Sequence, residues 1–170
     1  MNIFALSENP VEAARLQCDK HVVKMILETA QMLSTAHREL GSVIDPDLLY
    51  KKTHVNHPSA VWIRESAANY AWAIDHFEAL CDEYTFRYKK THLSDTKFRQ
   101  AFRAHKPVGI PEAALTAPPQ CMNDEYRIPV ISPTDWQATI AAYRAYYRAE
   151  KSSIARYTKR ATPIFIEETL

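Results

Sequence analysis

His21, Lys24, Glu28, Gln31 and Thr35 follow one another at steps of three or four residues. On a helix with 3.6 residues per turn that spacing puts an imidazole, an ammonium, a carboxylate, an amide and a hydroxyl on one face. His21 and Glu28 are two turns apart, so their side chains point the same way. A carboxylate beside an imidazole can move protons and can stabilise a cation. Val22, Ile26 and Leu33 flank the stripe on one side, and Val23, Leu27 and Ala30 on the other. Apolar residues around so much of the circumference predict a largely buried helix whose polar stripe forms one wall of a cleft. A solvated face, the plainer alternative, would carry the Glu–Lys alternation that the stripe lacks.

The elements that would hold this stripe are helical. The 170 residues include only two Gly and are rich in Ala, Leu, Glu and Arg, a composition that favours helix. Ile3 to Ser7 reads as a brief strand or an extended arm. Asn9-Pro10 starts a helix, and helical pattern runs from Val11 to Leu40. A break falls near Cys18-Asp19, where Asp19 could cap a second helix, and Gly41 stops the run. After a loop at 42–56, further helices are expected from Pro58 to about Lys90, from about Ser94 to Ala104, and from about Thr134 to Tyr157. The stretch from His105 to Pro133 holds six of the ten prolines. An irregular connection of that length is expected to be functional or to lie across the surface as a lid. The expected fold is mainly α, one compact domain over residues 1–170 with a long Pro-rich loop.

Composition narrows the function. The net charge of +1 gives no whole-chain argument for nucleic acid. The local argument is better: Arg144, Tyr146, Tyr147, Arg148, Lys151, Arg156, Tyr157, Lys159 and Arg160 interleave basic and aromatic residues that can pair phosphates and stack bases. Core tyrosines with ordinary surface cations explain the same pattern equally well. Lys51, Lys52 and His54 offer a second phosphate contact. No run is long enough for a membrane span, and the N-terminus lacks the pattern of an export signal. Three scattered cysteines suit free thiols in a reducing cytoplasm. His54-x-x-His57 with Cys18 and His21 is too loose a set for zinc. Two glycines exclude a phosphate-binding glycine loop. Neither metal nor cofactor is expected.

Asp19-Lys20-His21 with Glu28 seven residues after the His resembles the phage pyrimidine-dimer DNA glycosylase/AP lyase family of endonuclease V. Met1-Asn2-Ile3-Phe4-Ala5-Leu6 lies over the family's opening residues, and Asn56-His57-Pro58 is similar to a motif of its bacterial members. Tyr126 to Pro129, Glu150-Lys151 to Ile154, and Pro163 to Phe165 match its C-terminal elements loosely. The region 80–120 has no clear counterpart. The Cys-Asp-Lys-His and Thr-His-x-Asn-His-Pro blocks also resemble those of small phage-encoded proteins.

The resemblance implies an N-terminal α-amine as nucleophile on a sugar C1′, with Glu28 as the catalytic carboxylate and His21 orienting groups beside it. An α-amine titrates at about 7.7–8.0, so part of it is neutral near physiological pH. The bulk of Asn2 should retain Met1, making the nucleophile the Met1 amine. The implied substrate contacts are Asn2, Lys24, Gln31, His54, Asn56 and His57; the implied DNA contacts are Lys51, Lys52, Arg144, Arg148, Lys151, Arg156, Lys159 and Arg160. Two family arginines fall on Leu27 and Gln31, which points to a damaged or modified base other than a thymine dimer, or to a nucleotide. The expected activity is N-glycosidic bond cleavage by a monomer in the cytoplasm, the host's if the chain is phage-encoded. The alternative is a non-catalytic phage accessory protein that binds a nucleotide or a host protein in the same cleft.

Overall fold

The computed structural model describes residues 1–167. Among them are seven α-helices and no strand: α1 (Pro10–Leu16), α2 (Asp19–Leu40), α3 (Pro58–Glu65), α4 (Ala67–Tyr88), α5 (Leu93–Ala104), α6 (Trp136–Lys151) and α7 (Ile164–Glu167). The two 22-residue helices, α2 and α4, pack on each other. The helix α1 lies on α4, α3 on both long helices, and α5 closes the α2–α4 pair. The expected mainly helical class holds.

The ends of these helices follow from local chemistry. The Asn9 side chain accepts from the Val11 and Glu12 amides, and Pro10 takes the first position of α1. At α2 the expected cap moves: Cys18 is the N-cap residue and makes no side-chain cap bond. Asp19, first in the helix, instead accepts from Thr158 and from Arg87. The helix expected over Pro58–Lys90 is two, because Ser66 is extended (φ −151°, ψ 153°) and its hydroxyl accepts from the Asn69 amide. The expected Thr134–Tyr157 helix is shorter, α6 giving way at Ser152 to a single 3-10 turn. Gly41 ends α2 at φ 84°. A Cβ on Gly109 would meet the Leu40 carbonyl oxygen at 2.9 Å, so the close approach of the two segments needs a glycine there.

The Pro-rich segment crosses the molecule as a strap. The Ala67 amide donates to Pro111, and Thr116 bonds Asn69 and Trp62. Further on, the Cys121 amide donates to the Tyr143 hydroxyl. The strap thereby reaches from the α3–α4 junction to α6.

His21, His37 and His76 are buried, and burial pushes all three imidazoles down to about 4. Each ordinarily titrates near 6.5, so the unfolded chain binds these protons first as pH falls. Stability is therefore whole above pH 6.5 and is lost as pH drops towards 4. We expect melting temperature to fall across that window; a flat profile there would contradict the burial of neutral imidazoles.

Candidate active site

The N-terminal arm threads into the core instead of lying on it. Ile3, Phe4, Ala5 and Leu6 are all buried. Gln17 donates to the Ile3 carbonyl and Arg144 to the Leu6 carbonyl, which pins the arm between α1 and α6. The Met1 side chain is 2% exposed, so the first residue is anchored and its amine has a fixed position.

That amine faces the stripe on α2. The Met1 nitrogen lies 3.7 Å from Glu28 Oε2, and the Asn2 amide donates to the same oxygen at 3.2 Å. The other carboxylate oxygen lies 3.3 Å from Lys24 Nζ. The Glu28 side chain is 13% exposed, so it keeps a narrow opening to solvent.

His21 sits one wall over. Its ring stacks on Phe4 with centroids 4.3 Å apart, and Nδ1 is 2.7 Å from the Tyr147 hydroxyl. Burial raises the Tyr147 phenol far above its ordinary value, so it keeps its proton. It also accepts from the Cys18 amide. A neutral His21 accepting the phenol proton at Nδ1 carries its own proton on Nε2. Burial first, then the charges of Lys151 and Lys24, hold the imidazole neutral.

These residues line a cavity of about 300 Å³, with Met1, Asn2, His21, Lys24, Glu28 and Lys151 in its wall. A larger cavity of about 800 Å³ adjoins it, sharing Cys121 and Tyr146 as wall. The strap from Ala117 to Asn123 lines the larger cavity, together with His57, Arg127 and Ile128. His57 caps α3 by accepting the Ser59 amide at Nδ1. Its pKa is lowered by burial, then by the positive charges of the Met1 amine and His54, with Glu28 opposing them.

Several expected site residues lie elsewhere. Gln31, His54 and Asn56 line neither cavity. His54 is exposed with φ 48° and bonds the Thr53 hydroxyl. Of the residues flanking the stripe, Val22, Ile26, Leu33 and Ala30 are buried as expected, whereas Val23 and Leu27 are each 40% exposed. The basic and aromatic residues divide. Tyr143 and Tyr147 are core residues, whereas Tyr146 reaches both cavities and carries Lys151 over its ring at 4.8 Å. Arg144 holds Leu6, Lys159 donates to the Phe86 carbonyl, and Arg160 grips Glu83 with two bonds. Lys52 pairs with Glu39. Lys51 and Arg156 are exposed, and Arg148 is half-buried. Cys121, bonded to Tyr143, and Phe4, stacked on His21, also line the small cavity; each meets a partner distant in the chain, for which no local pattern exists.

His54, His57, Cys18 and His21 do not converge. Among the described residues no three His, Cys, Asp or Glu side chains are grouped to hold a metal ion. No helix there is long and apolar enough to cross a membrane.

An N-terminal amine facing a carboxylate inside a cavity is an arrangement whose chemistry suits attack on an electrophilic carbon. No curated protein and no solved structure matches the chain. The family model described as pyrimidine dimer DNA glycosylase matches residues 1–96, more than half of the 170-residue chain. The stripe, the N-terminal arm and the Asn56-His57-Pro58 block all fall inside that match, and the chain belongs to the pyrimidine dimer DNA glycosylase family.

Proposed function

We propose that this chain, a monomeric single domain, cleaves the N-glycosidic bond of a damaged base in DNA and then nicks the strand as a lyase. The observation that carries this reading is the 3.7 Å approach of the Met1 nitrogen to Glu28 Oε2 within a cavity. The neutral amine attacks C1′, and the base departs with the electron pair of the glycosidic bond. Loss of a proton from nitrogen and opening of the sugar ring leave a Schiff base. Glu28 stabilises the cationic intermediate and takes the C2′ proton, and the C3′–O bond breaks in β-elimination. Hydrolysis of the imine returns the amine. His21, neutral with its proton on Nε2, can donate a hydrogen bond into the same cavity.

A glycosylase reaches its bond by extruding a nucleotide from the duplex. The adjoining cavity of about 800 Å³ has the room to receive a base, with Tyr146 as a stacking face between the two chambers. Duplexes carrying a pyrimidine dimer, an abasic site or an oxidised base, assayed for strand cleavage, test the reading. Cleavage of at least the abasic duplex is expected; intact strands on all three would defeat it.

Lys151 and Lys159 separate phosphate contact from architecture. Lys151 lines the cavity, while Lys159 is held by the Phe86 carbonyl. Lys151→Ala should weaken duplex binding and lower the salt slope by about one, with Lys159→Ala changing neither. Fluorescence anisotropy across a salt series measures both, and equal effects would remove Lys151 from the interface.

A further inference from the structure

We propose that Asn2 is the positioning residue for the nucleophile, through a clamp that joins it to Cys121 and Tyr143; the proposal rests on the reading of the Met1 amine as the attacking group. A terminal amine has chain on one side only, so beyond the buried Met1 side chain its position depends on whatever fixes the next residue. At residue 2 the side chain does this. Asn2 Oδ1 accepts from the Ile3 amide at 2.7 Å and from the Phe4 amide at 3.2 Å. Capturing two successive amides bends the arm sharply and supports the left-handed backbone of Phe4, whose φ is 53°. Asn2 Nδ2 donates to the Cys121 carbonyl at 2.8 Å. The Tyr143 hydroxyl lies 2.8 Å from Asn2 Oδ1 and takes the Cys121 amide at 3.2 Å. One asparagine thus ties its own turn, the strap and α6 together, and it leaves the Asn2 amide aimed at Glu28.

Two consequences follow from this geometry. Asn2, expected from sequence to bind substrate, is 8% exposed, with Oδ1 engaged by the arm and Nδ2 by the strap, so its part in the reaction is indirect. Cys121 and Tyr143 lie beyond residue 96, where the family match ends. The strap, which lies beyond the family match, is therefore a working part of the site through its hold on the amine.

The test is the single-turnover rate of borohydride-trapped adduct on an abasic duplex, with duplex affinity and melting temperature measured beside it. Asn2→Leu keeps the branched shape and the bulk that retains Met1, and removes every side-chain bond. It should slow trapping by about 100-fold with affinity unchanged, the size of effect that misplacing a reacting group by about an ångström produces. Asn2→Asp still accepts from both amides but loses the donor to the Cys121 carbonyl, so it should recover only part of the rate. Asn2→Gln, one methylene too long for the turn, should stay slow; if the leucine variant does not fold, the order of Asp above Gln decides. Trapping by Asn2→Leu at the parent rate, or Gln as fast as Asp, overturns the clamp alone. No adduct with the parent chain overturns the amine reading and the clamp together.

Discussion

Glu28→Gln is expected to lower strand cleavage by about 10²–10⁴-fold, the span usual for loss of a general acid–base group. Glutamine has the same shape and can still accept the Asn2 amide that now bonds Oε2 at 3.2 Å. It cannot take the C2′ proton, and it brings no negative charge to a cationic imine. The fold should be little affected. The Lys24 partner of Glu28 is 68% exposed, and ion pairs of that kind contribute little to stability. Single-turnover cleavage and a thermal melt of the same preparation separate the two effects. A Glu28→Gln protein that melts normally and cleaves normally would move the chemistry to another residue.

The largest stability effect is expected at Arg87. Its side chain is fully buried and donates to Glu83 at 2.7 Å, to Asp19 at 2.9 Å and to the Arg15 carbonyl at 3.1 Å. Burial alone would raise the Asp19 and Glu83 carboxyls; hydrogen bonds from Thr158 and Arg87 to Asp19, and from Arg160 and Arg87 to Glu83, outweigh it and hold both below the usual range. Removing one partner of such a network strands buried charge, and Arg87→Ala should cost about 3–5 kcal/mol. Lysine should not rescue it, since a single ammonium cannot reproduce the forked geometry. Denaturant unfolding measures the loss. The consequence for function runs through α2: Asp19 starts the helix that carries His21 and Glu28, and the same carboxylate holds the tail at Thr158. An Arg87→Ala protein as stable as the parent would show that the network adds nothing.

Much of this site is written locally in the chain. The seven-residue step from His21 to Glu28 needs only helical periodicity to bring both to one cavity, and the Asn9-Pro10 and His57-Pro58 starts act within a turn. The break at Ser66 was harder, because apolar residues such as Trp62, Ala68, Trp72 and Phe77 continue on both sides of it. The decisive signal is a Ser able to cap Asn69, which the run of apolar residues on both sides masks. The basic and aromatic run on α6 held two meanings at once: Tyr143 and Tyr147 pack inward while Tyr146 and Lys151 face the cavity. The strap's length and prolines mark it as functional or as a cover, but the residue it holds was not legible. Asn2 and Cys121 stand 119 positions apart, and no spacing rule relates them.

The cavity holds three amines that could form an imine: the Met1 nitrogen and the side chains of Lys24 and Lys151. Borohydride reduction on an abasic duplex, followed by proteolysis and mass mapping of the modified peptide, identifies which one reacts. The account predicts a deoxyribose remnant on the α-nitrogen of Met1. A remnant on either lysine, with the N-terminal peptide unmodified, would contradict it.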